Sequence, residues 1–322
     1  MFIKDINFSL WCDFLERDFL EKDFSKLLDK NIINGITTNP SIFQNAFKTS
    51  SAYKQDISKL QDKTPKEIYE YLAIKDIQKS ADMLSNLYQQ NDDGFVSIEI
   101  DPFLCDDAKE SIKEAKRLYT LIDRDNVMIK VPATDAGFIV IEELIGEGIN
   151  VNATLIFSPS QADGCLNAIE RGLKNYPQKT PSSVISIFVS RFDRKLNLPE
   201  NLVGIINATK IYNQIQKRAL KNTRALFAST SVKGDNLDKD YYIKELLYEN
   251  AINTASLDSI DAFLKNKAYQ VKTPLSNQEI DEFFKKLENS GINMSQIYNT
   301  LLDEGLEAFK IAFKEMLKEL KG

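Results

Sequence analysis

The stretch "NVMIKVPAT" at residues 126–134 decides how the chain is read. Val127, Met128, Ile129, Val131 and Pro132 form an apolar run of strand length, with Lys130 in its middle. An ammonium group in a strand core loses hydration, so it must be paired or give up its proton. Side chains alternate along a strand, which puts Val127, Ile129 and Val131 on one face and Met128 and Lys130 on the other. The same split recurs elsewhere. In 96–101, Val96, Ile98 and Ile100 oppose Ser97, Glu99 and Asp101; in 184–190, Ile185, Ile187 and Val189 oppose Ser186, Phe188 and Ser190. In 150–157, Val151, Ala153, Leu155 and Phe157 oppose Asn150, Asn152, Thr154 and Ile156; in 8–13, Leu10 and Cys12 oppose Ser9, Trp11 and Asp13.

Eight strand candidates follow one another: 8–14, 35–39, 95–101, 126–132, 149–157, 183–190, 224–230 and, more weakly, 249–255. Between them lie apolar residues at steps of three and four, over 16–30, 67–90 and 106–122, and again over 295–320. Strands alternating with helices imply a parallel sheet. Eight such units predict a (β/α)8 barrel, with additional helices in 40–94 and a C-terminal helical segment over 277–320. A doubly wound open sheet is the alternative, but no strand is followed by GxGxxG and no GxxxxGK[ST] loop occurs. No Pro/Gly-rich linker or low-complexity tract divides residues 1–322, so one domain is expected. Fully buried parallel strands read as nearly continuous apolar runs. Here one face instead carries Asp13, Glu99, Lys130, Asn152, Thr154 and Ser186, which a barrel turns toward its axis.

Composition narrows the chemistry. The net charge of −6 argues against general attraction to nucleic acid or anionic membrane. No apolar stretch reaches the roughly 18–20 residues that span a bilayer, and Asp5 and Asn7 interrupt any signal-like N-terminus, so a cytoplasmic location is expected. Cys12, Cys105 and Cys165 are far apart and form no CxxC pair, so they read as small core residues. Histidine is absent, which removes Ser-His-Asp and Cys-His triads and the usual His-based metal sites. Acid–base work falls to Asp, Glu, Lys, Tyr, Cys or water.

A lysine beside two carboxylates, amides and hydroxyls suits carbonyl chemistry, in which an uncharged amine attacks a ketone and becomes a Schiff base. Desolvation in a barrel favours the neutral amine. The plain alternative is a buried cation paired with Glu99 or Asp13. Paired carboxylates alone suggest glycoside hydrolysis, which leaves the lysine without a role. A metal site from Asp13, Glu99 and Asp101 is poorly matched by lysine and amide neighbours.

The motifs "SLWCDFL" (9–15), "GITTNPSIF" (35–43), "VSIEIDP" (96–102), "MIKVPAT" (128–134) with Ala136 and Gly137 after it, "EGINVNATLIFS" (147–158), "SIFVSRFD" (186–193) and "FASTSVK" (227–233) closely resemble transaldolase in order and spacing. The likeness covers nearly the whole chain and is greatest to the longer bacterial members. It implies a class I aldolase barrel with the Schiff-base lysine at Lys130, no cofactor and no metal. It also implies transfer of a dihydroxyacetone unit between phosphorylated sugars of the non-oxidative pentose phosphate pathway. By motif, Asp13 takes the proton of the C4 hydroxyl, and Glu99 acts through a water held with Thr154. Asn39 and Asn152 bind donor hydroxyls, and Ser186 contacts the dihydroxyacetone end. Arg191 and Ser229 are matched to the phosphate site. Many members carry an arginine where this chain has Ser231, so Lys233 is expected to supply the second positive charge, with Arg194 and Lys210 as weaker candidates. A fructose 6-phosphate aldolase and a non-catalytic sugar-phosphate-binding barrel are the competing functions. The family includes dimers, so the 295–320 helix is expected either to cover the barrel or to join two copies.

Overall fold

The computed structural model describes residues 2–175, 180–198, 202–234, 237–266 and 269–321. Eight parallel strands close into a barrel in chain order: β1 Ser9–Cys12, β2 Gly35–Ile36, β3 Phe95–Glu99, β4 Val127–Pro132, β5 Asn150–Ile156, β6 Ser183–Phe188, β7 Thr223–Ala228 and β8 Ala251–Ala255. The expected (β/α)8 architecture is therefore present, and the open sheet is not. The strand candidates overran mainly at their C-terminal ends. There the chain leaves the ladder to form the loops that carry the site, most visibly at β2, which has two residues.

Two apolar layers hold the barrel. The outward faces of the strands, including Ile98, Ile129, Val131, Val151, Ile185 and Ile187, pack against the helices in the larger layer. Inside, Trp11, Phe95, Met128, Val184, Leu226 and Ile252 fill the N-terminal half of the barrel. Gly35 permits this filling: a Cβ there would lie 2.5 Å from the Trp11 ring. The three cysteines are buried and unpaired.

Additional helices occupy Pro40–Thr49, Lys54–Lys59 and Pro65–Gln89, and the chain closes with Asn277–Asn289 and Met294–Glu319. Pro65–Gln89 opens on a capping box between Thr64 and Glu67, with Pro65 in the first turn. The helix expected over 16–30 is interrupted. Arg17–Phe19 and Ser25–Asp29 flank a wider π turn, Leu20–Phe24, which keeps Phe19, Leu20 and Phe24 all buried. Among the described residues, no helix is long and apolar enough to cross a membrane.

One expected alternation is inverted. The β5–β6 register shifts between Ala153 and Ile156, and Leu155 adopts a left-handed φ of 57°. That bulge turns Leu155 and Phe157 into the barrel interior and sends Ile156 to the outer layer, the reverse of strict alternation.

Candidate active site

The barrel's C-terminal end brings the polar face together. Register aligns Glu99 of β3 with Lys130 of β4, and Lys130 with Asn152 of β5, in one row across adjacent strands. Lys130 Nζ lies 2.7 Å from Glu99 Oε1 and donates to the Thr38 carbonyl at 2.6 Å. Lys130 is only 5% exposed. Burial pushes the Glu99 carboxyl up to about 7, against the pull of the Lys130 charge, with a smaller upward push from Asp13. Glu99 Oε2 and Thr154 Oγ1 are buried with no hydrogen-bond partner among the described residues. The carboxylate oxygen can accept and the threonine hydroxyl can donate or accept, so both are open to a further polar partner.

Asn152 is fully buried. It donates from Nδ2 to Ser97 Oγ at 3.1 Å and accepts at Oδ1 from Ser186 Oγ at 2.6 Å. Asp13 follows β1 and is fixed by its own amide, which donates to the Ala255 carbonyl at 2.8 Å. Its Oδ1 accepts from Thr37 Oγ1 at 2.7 Å. Burial raises the Asp13 carboxyl above the usual range, while the Lys130 charge and the Thr37 hydrogen bond lower it. Asn39 caps the helix Pro40–Thr49, accepting from the Ile42 amide at 3.0 Å. That bond uses its oxygen and leaves its amide group for the cavity.

Asp13, Asn39, Lys130, Thr154 and Ser186 open on a cavity of about 270 Å³. Its outer part is basic. Arg191, in the first turn of the helix Ser190–Leu196, lies over the rings of Phe188 (5.1 Å) and Phe157 (5.9 Å). Among the described residues no carboxylate forms an ion pair with it. Burial and the nearby Arg194 charge push its pKa down, against a smaller upward push from Glu304, and an anion entering here would meet two like charges. Ser229, at a left-handed φ of 53°, lies within 3.3 Å of Ser190, Oγ to Oγ. Lys233 is exposed on the rim. The helix Met294–Glu319 closes the cavity through Ala308 and Phe309. Gly305 of the same helix stands where a Cβ would meet Leu155 Cδ2 at 3.0 Å and Arg191 Nη1 at 3.2 Å.

The transaldolase/fructose-6-phosphate aldolase family model matches residues 10–320. The chain is 52% identical to a transaldolase of Campylobacter jejuni subsp. doylei over 98% of its length and 99% of that protein. It is 49% identical to a transaldolase of Helicobacter pylori (strain P12) over 97% of its length and 98% of that protein. The chain belongs to this family.

Of the ten site residues expected from the sequence, eight line the cavity: Asp13, Asn39, Lys130, Thr154, Ser186, Arg191, Ser229 and, in place of the family arginine, Lys233. Glu99 and Asn152 do not line it; they flank Lys130 in the row and bond directly to cavity residues. Other candidates part company with the site. Asp101 pairs with Lys66 at 2.8 Å and caps the turn Pro102–Leu104, which removes it from the suggested carboxylate cluster. Lys210 pairs with Asp281 at 2.9 Å in a separate groove. Arg194 does line the cavity. Sequence reading passed over Thr37, Ser41, Thr254, Ala308 and Phe309, which line it too. Thr37 was signalled by its place two residues before Asn39, whereas the closing helix carries no local mark of its role.

Proposed function

We propose that Lys130 transfers a dihydroxyacetone unit from a ketose phosphate, sedoheptulose 7-phosphate or fructose 6-phosphate, to an aldose phosphate, erythrose 4-phosphate or glyceraldehyde 3-phosphate. This is the transaldolase step of the non-oxidative pentose phosphate pathway. The observation that carries it is the buried Lys130 amine 2.7 Å from Glu99, in the cavity that also holds Asp13.

Lys130 passes its proton to the paired Glu99 carboxylate, and the uncharged amine adds to the C2 carbonyl. Glu99, with a water held by Thr154, supplies the proton with which the former carbonyl oxygen leaves as water, giving an iminium ion. A carboxyl pushed up to about 7 is matched to giving and taking protons near neutrality. Asp13 then takes the C4 hydroxyl proton as the C3–C4 bond breaks. The bonding electrons move into an enamine, and the aldose phosphate departs. Asn39, Asn152 and Ser186 hold the three-carbon unit until an acceptor aldehyde arrives. The steps then reverse, with the Asp13 proton returning to the new alkoxide and water freeing Lys130. Arg191, Ser229 and Lys233 hold the phosphate, with Arg191 able to make a two-point contact.

Borohydride reduction with fructose 6-phosphate, followed by mass spectrometry, is expected to find the reduced donor on Lys130; label on another lysine overturns the assignment. The aldolase reading predicts free dihydroxyacetone and no acceleration by an acceptor. Full-length coverage by relatives named transaldolase favours transfer. The same reading treats residues 1–322 as one catalytic domain acting on phosphorylated sugars, in the cytoplasm. A homodimer is compatible with it, since the closing helix covers the barrel mouth without needing a second copy.

A further inference from the structure

Three adjacent strands share a chain of hydroxyls that the steps above do not use. Thr37, just after β2, has its Oγ1 2.7 Å from Asp13 Oδ1 and 2.6 Å from Thr254 Oγ1, on β8. Thr37 has one hydroxyl proton, and an ionised Asp13 only accepts, so Thr37 donates to Asp13. Thr254 must then donate to Thr37. With Asp13 ionised, the chain therefore runs from Thr254 to Thr37 to Asp13. Both threonines are nearly fully buried, at 2% and 3% exposure, and both line the cavity.

We propose that Thr254 is a positioning residue for proton transfer, polarising Thr37 so that the pair holds Asp13 in one orientation and in its carboxylate form. With Oδ1 occupied by Thr37, Oδ2 is left to take the hydroxyl proton of the substrate. The charged and titratable groups around Asp13 are Lys130, which favours the carboxylate, and Glu99 and Cys12, which lie close enough to interact with it. Against burial, the hydroxyl chain and Lys130 are what keep the base ionised.

This inference rests on the transaldolase reading for its kinetic arm and is independent of it in its titration arm. Thr254→Val keeps the volume and removes the donor; Thr254→Ser keeps the donor. Thr254→Val is expected to lower kcat by up to roughly tenfold, the order of one hydrogen bond between neutral hydroxyls. Borohydride capture of fructose 6-phosphate should be left intact, because capture precedes the Asp13 step. The acid limb of kcat/KM should move to higher pH, and carbon NMR of the Asp13 carboxyl in free enzyme should show the same upward move. Thr254→Ser should restore all three. Thr37→Val should act in the same sense, and the double variant should be no worse than Thr37→Val alone, since Thr254 acts only through Thr37. An unmoved Asp13 titration in Thr254→Val, or equal losses in the valine and serine variants, overturns the proposal. A moved titration in a protein that captures no donor on Lys130 would uphold the hydroxyl chain and reject the transferase reading instead.

Discussion

The barrel interior has two ends, and each holds an arginine. At the N-terminal end, Arg224 Nη1 meets Asp93 at 2.6 Å, and Nη2 donates to the Asn7 carbonyl (2.6 Å), the Ala251 carbonyl (3.0 Å) and Ser9 Oγ (3.3 Å). Asp93 also accepts from Trp11 Nε1 at 2.9 Å. At the C-terminal end, Arg191 has two aromatic rings beside it and feels the charge of Arg194 and, more weakly, of Glu304. The cavity at the N-terminal end is the larger, about 400 Å³ against about 270 Å³. Size therefore does not locate the chemistry. The difference lies in how the two arginines are satisfied: Arg224 closes on a carboxylate and backbone carbonyls, whereas no carboxylate among the described residues forms an ion pair with Arg191.

Four substitutions would sharpen or break that contrast. Lys130→Ala should abolish borohydride capture and lower transfer by on the order of 10⁴-fold or more, with the circular dichroism of the fold unchanged. Retained activity would reject the mechanism. Arg224→Ala strands a buried carboxylate, Asp93, and should cost about 3–5 kcal/mol in chemical denaturation while kcat in the folded protein stays near wild type. Arg191→Ala should do the opposite. The KM for phosphorylated donors should rise by roughly 10²-fold, the order of a charge-assisted two-point contact, with no loss of stability. Equal loss with unphosphorylated dihydroxyacetone-type donors would make Arg191 structural.

For Glu99→Gln the sign of the effect on stability is set by linkage. The Glu99 carboxyl is raised from 4.5 to about 7 in the folded protein, so between those values the folded state holds a proton that the unfolded state has lost. The contribution of Glu99 is therefore full below about 4.5, declines as pH rises to about 7 and is flat above. Glutamine keeps the neutral character throughout. Thermal unfolding should show Glu99→Gln gaining on wild type across that window, and a constant difference would contradict the burial argument.

The barrel was legible because its evidence is local: alternation within each strand and turn signals at its ends. Lys130, Glu99 and Asp13 stood out because each is a charge in an apolar run. What escaped was non-local or irregular. Thr254 matters through a residue 217 positions away, Ala308 and Phe309 through a helix laid over the barrel mouth, and no window of sequence joins them. The Leu155 bulge escaped because strict alternation assumes an unbroken ladder. The basic end of the cavity was only partly legible, since Arg194 and Lys210 look alike as surface cations and only the fold separates them.

That bulge has a geometric consequence of its own. An unbroken β5 would aim Ile156 inward and leave the guanidinium of Arg191 without the Phe157 ring beside it. One residue of backbone slack lets a single strand present a hydroxyl at Thr154 and an aromatic platform three positions on. It thereby acts as a spacer between the Thr154 hydroxyl and the Arg191 guanidinium.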